Sequence, residues 1–292
     1  MKYTFKQFQA EYPDDAACLA AVMVSQYGGT RFVCPGCGVE AEFHAMSKRR
    51  AYACQECGHH IYPCAGTIFH KSSTKLTNWF FAMYLMTSTR HGVAAKELQR
   101  QIGCTYKTAW CMAHELRKLM ATADFRGPLS GHIEMDDTII GGRQSRTEKR
   151  HKGTNKSVVF GMVERDGRLL AGPVPESNAR YVTRAVELNV DKGAILSTDD
   201  WAGYRELDAD FIRGSVNHTD GEYVRGDVHT NTIEGHWSQL KRSIAGTHVH
   251  VSGKHLWKYV SEFSYRRNFR DCHSTMFNRL ILAFSQPRLV EP

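Results

Sequence analysis

Two cysteine pairs, Cys34-Pro-Gly-Cys37 and Cys54-Gln-Glu-Cys57, stand sixteen residues apart and constrain the fold of this chain more than any other feature. Four thiolates in two CxxC knuckles match the tetrahedral sulfur ligation of zinc, and the interval falls in the zinc-ribbon range. Gly36 and Gly38 beside the first knuckle and Gly58 after the second permit the tight backbone that wraps each sulfur pair. A redox reading would need one CxxC in a βαβ setting, which this segment lacks. Cys64, His59 and His60 lie close by, but four ligands already close the site. A ribbon of this size has no core of its own, so one structural Zn²⁺ on Cys34, Cys37, Cys54 and Cys57 is expected to supply its folding energy.

Nine cysteines in a reducing compartment ask for metal rather than disulfides. The cytoplasm is the expected location. The first apolar stretch, Ala16 to Val24, is short and follows Asp14 and Asp15 rather than a basic segment, unlike a signal peptide. No run reaches the roughly 18 apolar residues of a membrane span, so no membrane partner is expected. A length of 292 residues exceeds one comfortable core and predicts two or three units. A net charge of +8 favours an anionic partner, of which nucleic acid is the commonest.

The texture changes along the chain. Residues 1–30 read as a helical segment, capped by Asp14 or Asp15 and stopped at Gly28-Gly29. Residues 31–70 hold the ribbon. Residues 71–125 read as all-helical: "LTNWFFAMYLMTS" is one helix, and two more are broken at Gly103. Ala95, Leu98 and Ile102 keep helical spacing before the break, and Ala109, Met112, Ala113 and Leu116 keep it after. Two short amphipathic helices about a glycine turn form the helix-turn-helix pattern, which would point Tyr106 and Lys107 at DNA. From 126 to 292, strands and helices alternate. "HIEMDDTI", "SVVFGMVER" and "RLLAGPV" read as three strands, with Asp166-Gly167 as a hairpin turn. A helix ("ARYVTRAVELNV"), a buried strand ("KGAILSTD") and two further helices follow, which is the order of an RNase H-like α/β domain. The predicted architecture is therefore multidomain, with zinc ribbon and helix-turn-helix ahead of this α/β domain.

Three acids stand out in that last domain. Asp136 and Asp199 sit at the ends of apolar, strand-like runs, and Glu234 opens an amphipathic helix. Carboxylates delivered in this way can converge on hard divalent cations and drive in-line attack on phosphodiesters. On the helix, Ile233, Trp237, Leu240 and Ile244 form an apolar stripe, while Asn231, Glu234, Ser238 and Lys241 form a polar one. Asp137 and Asp200 compete for the roles of their neighbours. Strand alternation lets only one of each pair face a metal, and the pattern alone does not choose.

The ribbon, "GTIFHKSSTKLTNWF", "EMDDTIIGG", "STDDWAGY", "HTNTIEGHWSQLKR" and "YRRN" together resemble the ISXO-type transposases of bacterial insertion sequences. The resemblance runs over roughly residues 14–285, in order and spacing. It implies a DDE-type catalytic domain whose first, second and third acids are Asp136, Asp199 and Glu234, with Lys241 as the accompanying basic residue. The interval of 35 positions from Asp199 to Glu234 is close to that of polynucleotidyl transferases. Two Mg²⁺ ions, or Mn²⁺ in their place, would be bridged by Asp136 and flanked by Asp199 and Glu234 for cleavage of element ends and their transfer into target DNA. The resemblance also implies a homodimer or larger assembly on paired double-stranded DNA ends, in a bacterial cytoplasm at the nucleoid.

Basic residues flank the acids. Arg143, Arg146, Lys149, Arg150, Lys152 and Lys156 crowd one segment; Arg242, Arg266 and Arg267 lie beyond the glutamate helix, and Asn231 opens it. They are read as contacts to end and target DNA. His218, His229, His236, His248 and His250 surround the third acid without the spacing of a helical metal site, and His229 is a candidate to orient the helix. Two other functions fit the same features. One is a regulatory or domesticated DNA-binding protein with an inert catalytic domain; the other is a metal-dependent nuclease that does not join.

Overall fold

A computed structural model of the chain describes residues 3–124, 127–141, 156–175 and 178–286. It divides into two compact units, Met1–Ala123 with Phe269–Pro292, and Asp124–Asn268.

The first unit opens with α1 (Phe5–Glu11) and α2 (Asp15–Tyr27). Asp14 caps α2 by accepting from the Ala17 N–H at 2.8 Å, and Gly28 ends it at φ +77°, a left-handed conformation that favours glycine. The ribbon follows as β1 (Arg31–Val33), β2 (Glu40–Ala45), β3 (Tyr52–Cys54) and β4 (His60–Ile61), antiparallel neighbours in that order. Next come α3 (Leu76–Ser88), α4 (Ala95–Ile102) and α5 (Tyr106–Ala123). No side chain at Lys75 caps α3. Asp15 does so instead, accepting from the Thr77 N–H and hydroxyl at 2.9 Å each. Helices α4 and α5 are joined by a three-residue turn that starts at Gly103 with φ +73°. On α5, Ala109, Met112, Ala113 and Leu116 are buried as their spacing predicts.

The second unit contains β5 (His132–Gly141), β6 (Lys156–Glu164), β7 (Leu169–Val174), α6 (Ala179–Asn189), β8 (Ile195–Asp199), β9 (Ile212–Val216), the short hairpin β10 (Val224–Arg225) and β11 (Val228–His229), α7 (Asn231–Ser243) and α8 (Gly253–Asn268). Its five-stranded sheet has the order β7-β6-β5-β8-β9. The first three strands form an antiparallel meander, while β8 runs parallel to β5 and β9 parallel to β8. The sheet is covered on both faces. One core joins Ile133, Met135, Phe160 and Met162 to Val182 and Val186 of α6 and to Tyr204 and Leu207 of a 3-10 segment. The other joins Ile140, Val159 and Val163 to Ile233, Trp237 and Leu240 of α7 and to Leu256, Val260 and Phe263 of α8. The apolar stripe read from the α7 sequence is thus the buried one. Helix α7 loosens into a π-type turn over Ile244–His248, around Gly246.

The chain then returns to the first unit with α9 (His273–Leu282), where Phe277 packs 5.8 Å from Phe8, 5.4 Å from Tyr12 and 6.1 Å from Phe80 between ring centroids. The sequence reading carried the α/β domain to residue 292. The compact unit ends at Asn268, because the aromatic residues beyond it complete the first unit's core. Among the described residues, no helix is long and apolar enough to cross a membrane.

Candidate active site

Alternation along β5 sorts its residues between the two cores. Ile133 and Met135 enter the α6 side; Glu134, Asp136 and Ile140 turn to the α7 side. Asp137 is paired with Phe160 of the α6-side core and so lies on the opposite face from Asp136. The parallel register sets Glu134 opposite Ser197, so Asp199, two residues further along β8, projects to the same face as Asp136. Glu234 arrives there from the first turn of α7.

Asp136 is strongly perturbed. Its carboxyl is pushed up to about 7, first by burial and then by the negative charges of Asp137, Asp199 and Glu234, against an opposing hydrogen bond from the Asp137 backbone. The charges of Asp199 and Glu234 therefore reach Asp136. The Tyr204 hydroxyl, buried in the α6-side core, is also raised, by burial first and then by Asp199, Asp136 and Asp137. Oδ2 of Asp136 accepts from the indole N–H of Trp237 at 3.0 Å. That contact depends on Gly161, the cross-strand partner of Asp136: a Cβ there would lie within 2.7 Å of Cζ2 of the Trp237 ring. Oδ1 of Asp199 accepts from the Trp201 N–H at 3.2 Å. Oε1 of Glu234 accepts from the Thr230 hydroxyl at 2.8 Å, with Nε2 of His218 3.7 Å away.

Uncompensated carboxylates gathered on one face are suited to hard divalent cations. Among the described residues, they do not close to the spacing of a single-ion cage; only the four cysteines do so. The ligand atoms of Cys34, Cys37, Cys54 and Cys57 all lie within 4.8 Å of one another. Sγ of Cys34 and Sγ of Cys57 are 3.7 Å apart, near the edge of about 3.8 Å that a sulfur tetrahedron with Zn–S bonds of about 2.3 Å requires. This cluster fits the structural zinc read from the sequence.

The other residues singled out by sequence are placed as follows. Lys241 is exposed on the α7 stripe that carries Glu234, two turns further along, and Asn231 and Arg242 are exposed at the two ends of that helix. Tyr106 and Lys107 are exposed in the first turn of α5. Lys156 is exposed at the start of β6, whereas Arg143, Arg146, Lys149, Arg150 and Lys152 lie outside the described residues. Arg267 is half-buried. Arg266 is buried and holds Glu262 at 3.2 Å, a structural ion pair within α8 rather than an open cation. Sequence reasoning missed Glu134 and assigned no role to His132 or Ser197. A period of two puts Glu134 on the same face as Asp136, so the signal was present in "EMD".

The fold and site define a chain that couples a thiolate zinc module to a mixed α/β domain with clustered carboxylates. Residues 13–60 match the family described as a transposase zinc-ribbon domain, and residues 128–268 match the ISXO2-like transposase domain. The chain is similar to an uncharacterized protein in transposable element ISH50 of Halobacterium salinarum (strain ATCC 700922 / JCM 11081 / NRC-1). The two are 29% identical over 254 residues, which cover 80% of this chain and 84% of that protein. These two matches and the relative support an ISXO2-like insertion-sequence transposase.

Proposed function

We propose that this transposase binds the terminal inverted repeats of its element, cuts the DNA ends in a divalent-metal-dependent reaction and transfers them into target DNA. The observation that carries this reading is the common face of Asp136, Asp199 and Glu234, with the Asp136 carboxyl pushed up to about 7 by burial and by its acidic neighbours. The strand order β7-β6-β5-β8-β9 supports an RNase H-like fold for the catalytic domain read over 126–292, its sheet lying within the unit Asp124–Asn268. The α4–α5 pair within 71–125 is proposed as a helix-turn-helix that sets Tyr106 and Lys107 on DNA. Residues 1–30 are proposed as a helical segment and residues 31–70 as the zinc ribbon.

In this reading Asp136, Asp199 and Glu234 hold two Mg²⁺ or Mn²⁺ ions. Such ions, when bound, activate the attacking hydroxyl and stabilise the departing oxygen of an in-line displacement. The residues of the chain orient them. Trp237 fixes the Asp136 carboxylate by donating to Oδ2, while Thr230 fixes Glu234 by donating to Oε1. Lys241, about 10 Å along the helix axis from Glu234, is positioned for a phosphate of the substrate strand. The proposed partner is double-stranded DNA, both element ends and target, engaged by a homodimer or larger assembly at the nucleoid. Arg242, Lys156, Arg267 and Asn231, with Arg143, Arg146, Lys149, Arg150 and Lys152, are proposed as its phosphate contacts.

The test is a joining assay: the protein, Mg²⁺, a duplex ending in the element's inverted repeat and a target plasmid. Joined product that is lost in Asp136→Ala, Asp199→Ala and Glu234→Ala, with end binding retained, supports the reading. Cleavage without joining would make the protein a nuclease. End binding with neither reaction would make it a regulatory DNA-binding protein.

A further inference from the structure

A fourth acid lies on the same sheet face, and its hydrogen bonds direct it away from metal chemistry. Glu134 is 0% exposed. Its Oε2 accepts from the backbone N–H of Thr232 at 2.7 Å and of Ile233 at 3.2 Å. Its Oε1 accepts from the Thr232 hydroxyl at 2.9 Å and from Nε of Arg165 at 3.3 Å. Nδ1 of His229 stands a further 3.2 Å from Oε1. A carboxylate offers about four acceptor positions, and these four hydrogen bonds take them all. The first turn of α7 needs such an acceptor, because Thr230 provides no side-chain cap and the helix N-terminus carries unpaired N–H groups and partial positive charge.

The network continues into β8. Nη1 of Arg165 is 3.1 Å from Nδ1 of His132, and Nε2 of His132 is 2.7 Å from the Ser197 hydroxyl. Each anchor stands two positions ahead of an acid: Glu134 before Asp136, Ser197 before Asp199, Thr232 before Glu234. Three separate elements are therefore tied together one step behind the residues that meet in the pocket. A side chain that spanned β5 and α7 only to fill space would be apolar, since burying a carboxylate costs several kcal/mol unless it is fully hydrogen-bonded.

We infer that Glu134 is a positioning residue that caps α7 from the neighbouring strand and sets Glu234 against Asp136, and that it is not a metal ligand. The inference rests on the carboxylate-site reading above, and its test separates the two. In the full-length zinc-bound protein, amide hydrogen exchange over residues 230–236 is measured without added divalent metal, and Mn²⁺ affinity by calorimetry. The proteins are wild type, Glu134→Ala, Glu134→Gln, Thr232→Val and Asp136→Asn. Loss of charge-assisted hydrogen bonds at the cap predicts exchange about tenfold faster or more in Glu134→Ala, together with weaker Mn²⁺ binding. Glu134→Gln and Thr232→Val, milder and better folded, shift both readouts in the same direction by less. Asp136→Asn weakens Mn²⁺ binding alone. If the Glu134 variants weaken Mn²⁺ binding and leave exchange at the wild-type rate, Glu134 is a ligand and the inference is overturned. Faster exchange with unchanged Mn²⁺ affinity overturns it as well, because the cap would then not position the site. If Asp136→Asn binds Mn²⁺ like wild type, it is the carboxylate-site reading that fails, and exchange alone decides whether Glu134 holds the helix.

Discussion

Replacing Asp136 by asparagine should stabilise the protein that lacks bound divalent metal while removing the metal site. The Asp136 carboxyl is pushed from 3.8 up to about 7 in the folded chain. A folded pKa raised above the unfolded one means that the native state holds its proton more tightly. Stability from this group is therefore complete below pH 4 and is lost as pH rises to about 7. At about 1.36 kcal/mol per pH unit, the rise from 3.8 to about 7 sets a ceiling near 4 kcal/mol. Part of the side chain meets solvent, so about half that is the working figure, roughly 2 kcal/mol. Asparagine keeps an oxygen for the Trp237 N–H, so little is lost in exchange. For a unit of this size, 2 kcal/mol raises the melting temperature by roughly 4–8 °C. The assay is thermal unfolding at pH 8 and pH 5, without magnesium and without chelator, so that the ribbon keeps its zinc. The variant should melt higher at pH 8, and the gap should narrow to roughly a third at pH 5, because the folded carboxyl is protonated there while the unfolded one is still ionised. A gap that is absent, reversed or independent of pH would refute the reasoning.

Gly161→Ala should cost about 1–3 kcal/mol and weaken divalent binding, because the added Cβ displaces the Trp237 ring from Asp136; unfolding of the second unit and Mn²⁺ titration both read it. Mn²⁺ affinity should fall about tenfold per pH unit below 7, since metal binding must displace the one Asp136 proton; a flat profile from pH 7 to 5 would argue against Asp136 as a ligand. A zinc chelator should raise amide exchange throughout the ribbon, β1 to β4, and leave β5 and β8 protected. Retained ribbon protection without zinc would show that the four thiolates are not its folding centre.

Much of this was legible in the sequence, for physical reasons. The CxxC pairs fix ribbon and metal because tetrahedral sulfur ligation tolerates few spacings. The α7 stripe of Ile233, Trp237, Leu240 and Ile244 predicts the buried face because a helix carries one period throughout. The choice between Asp136 and Asp137 was not legible: adjacent strand residues differ only in which core lies beneath them, and that is decided by the pairing of β5 with β6. Glu134 was overlooked because a buried acid looks like a ligand or a surface residue until its donors, from α7 and from the turn after β6, are seen. Strand β9 (Ile212–Val216) escaped notice, being short, with Arg213 and Gly214 breaking its apolar run. The return of α9 to the first unit depends on Phe8, Tyr12 and Phe80, more than 190 residues earlier, a distance across which local pattern carries no information.

The most direct measurement is a crystal structure of the protein with Mn²⁺ and a DNA end, read by anomalous scattering at the manganese edge. Two peaks within bonding distance of carboxylate oxygens of Asp136, Asp199 and Glu234, with Glu134 still seated on the N-terminus of α7, are the predicted result. Peaks held by Asp137 or Asp200, or no manganese on that face of the sheet, would contradict it.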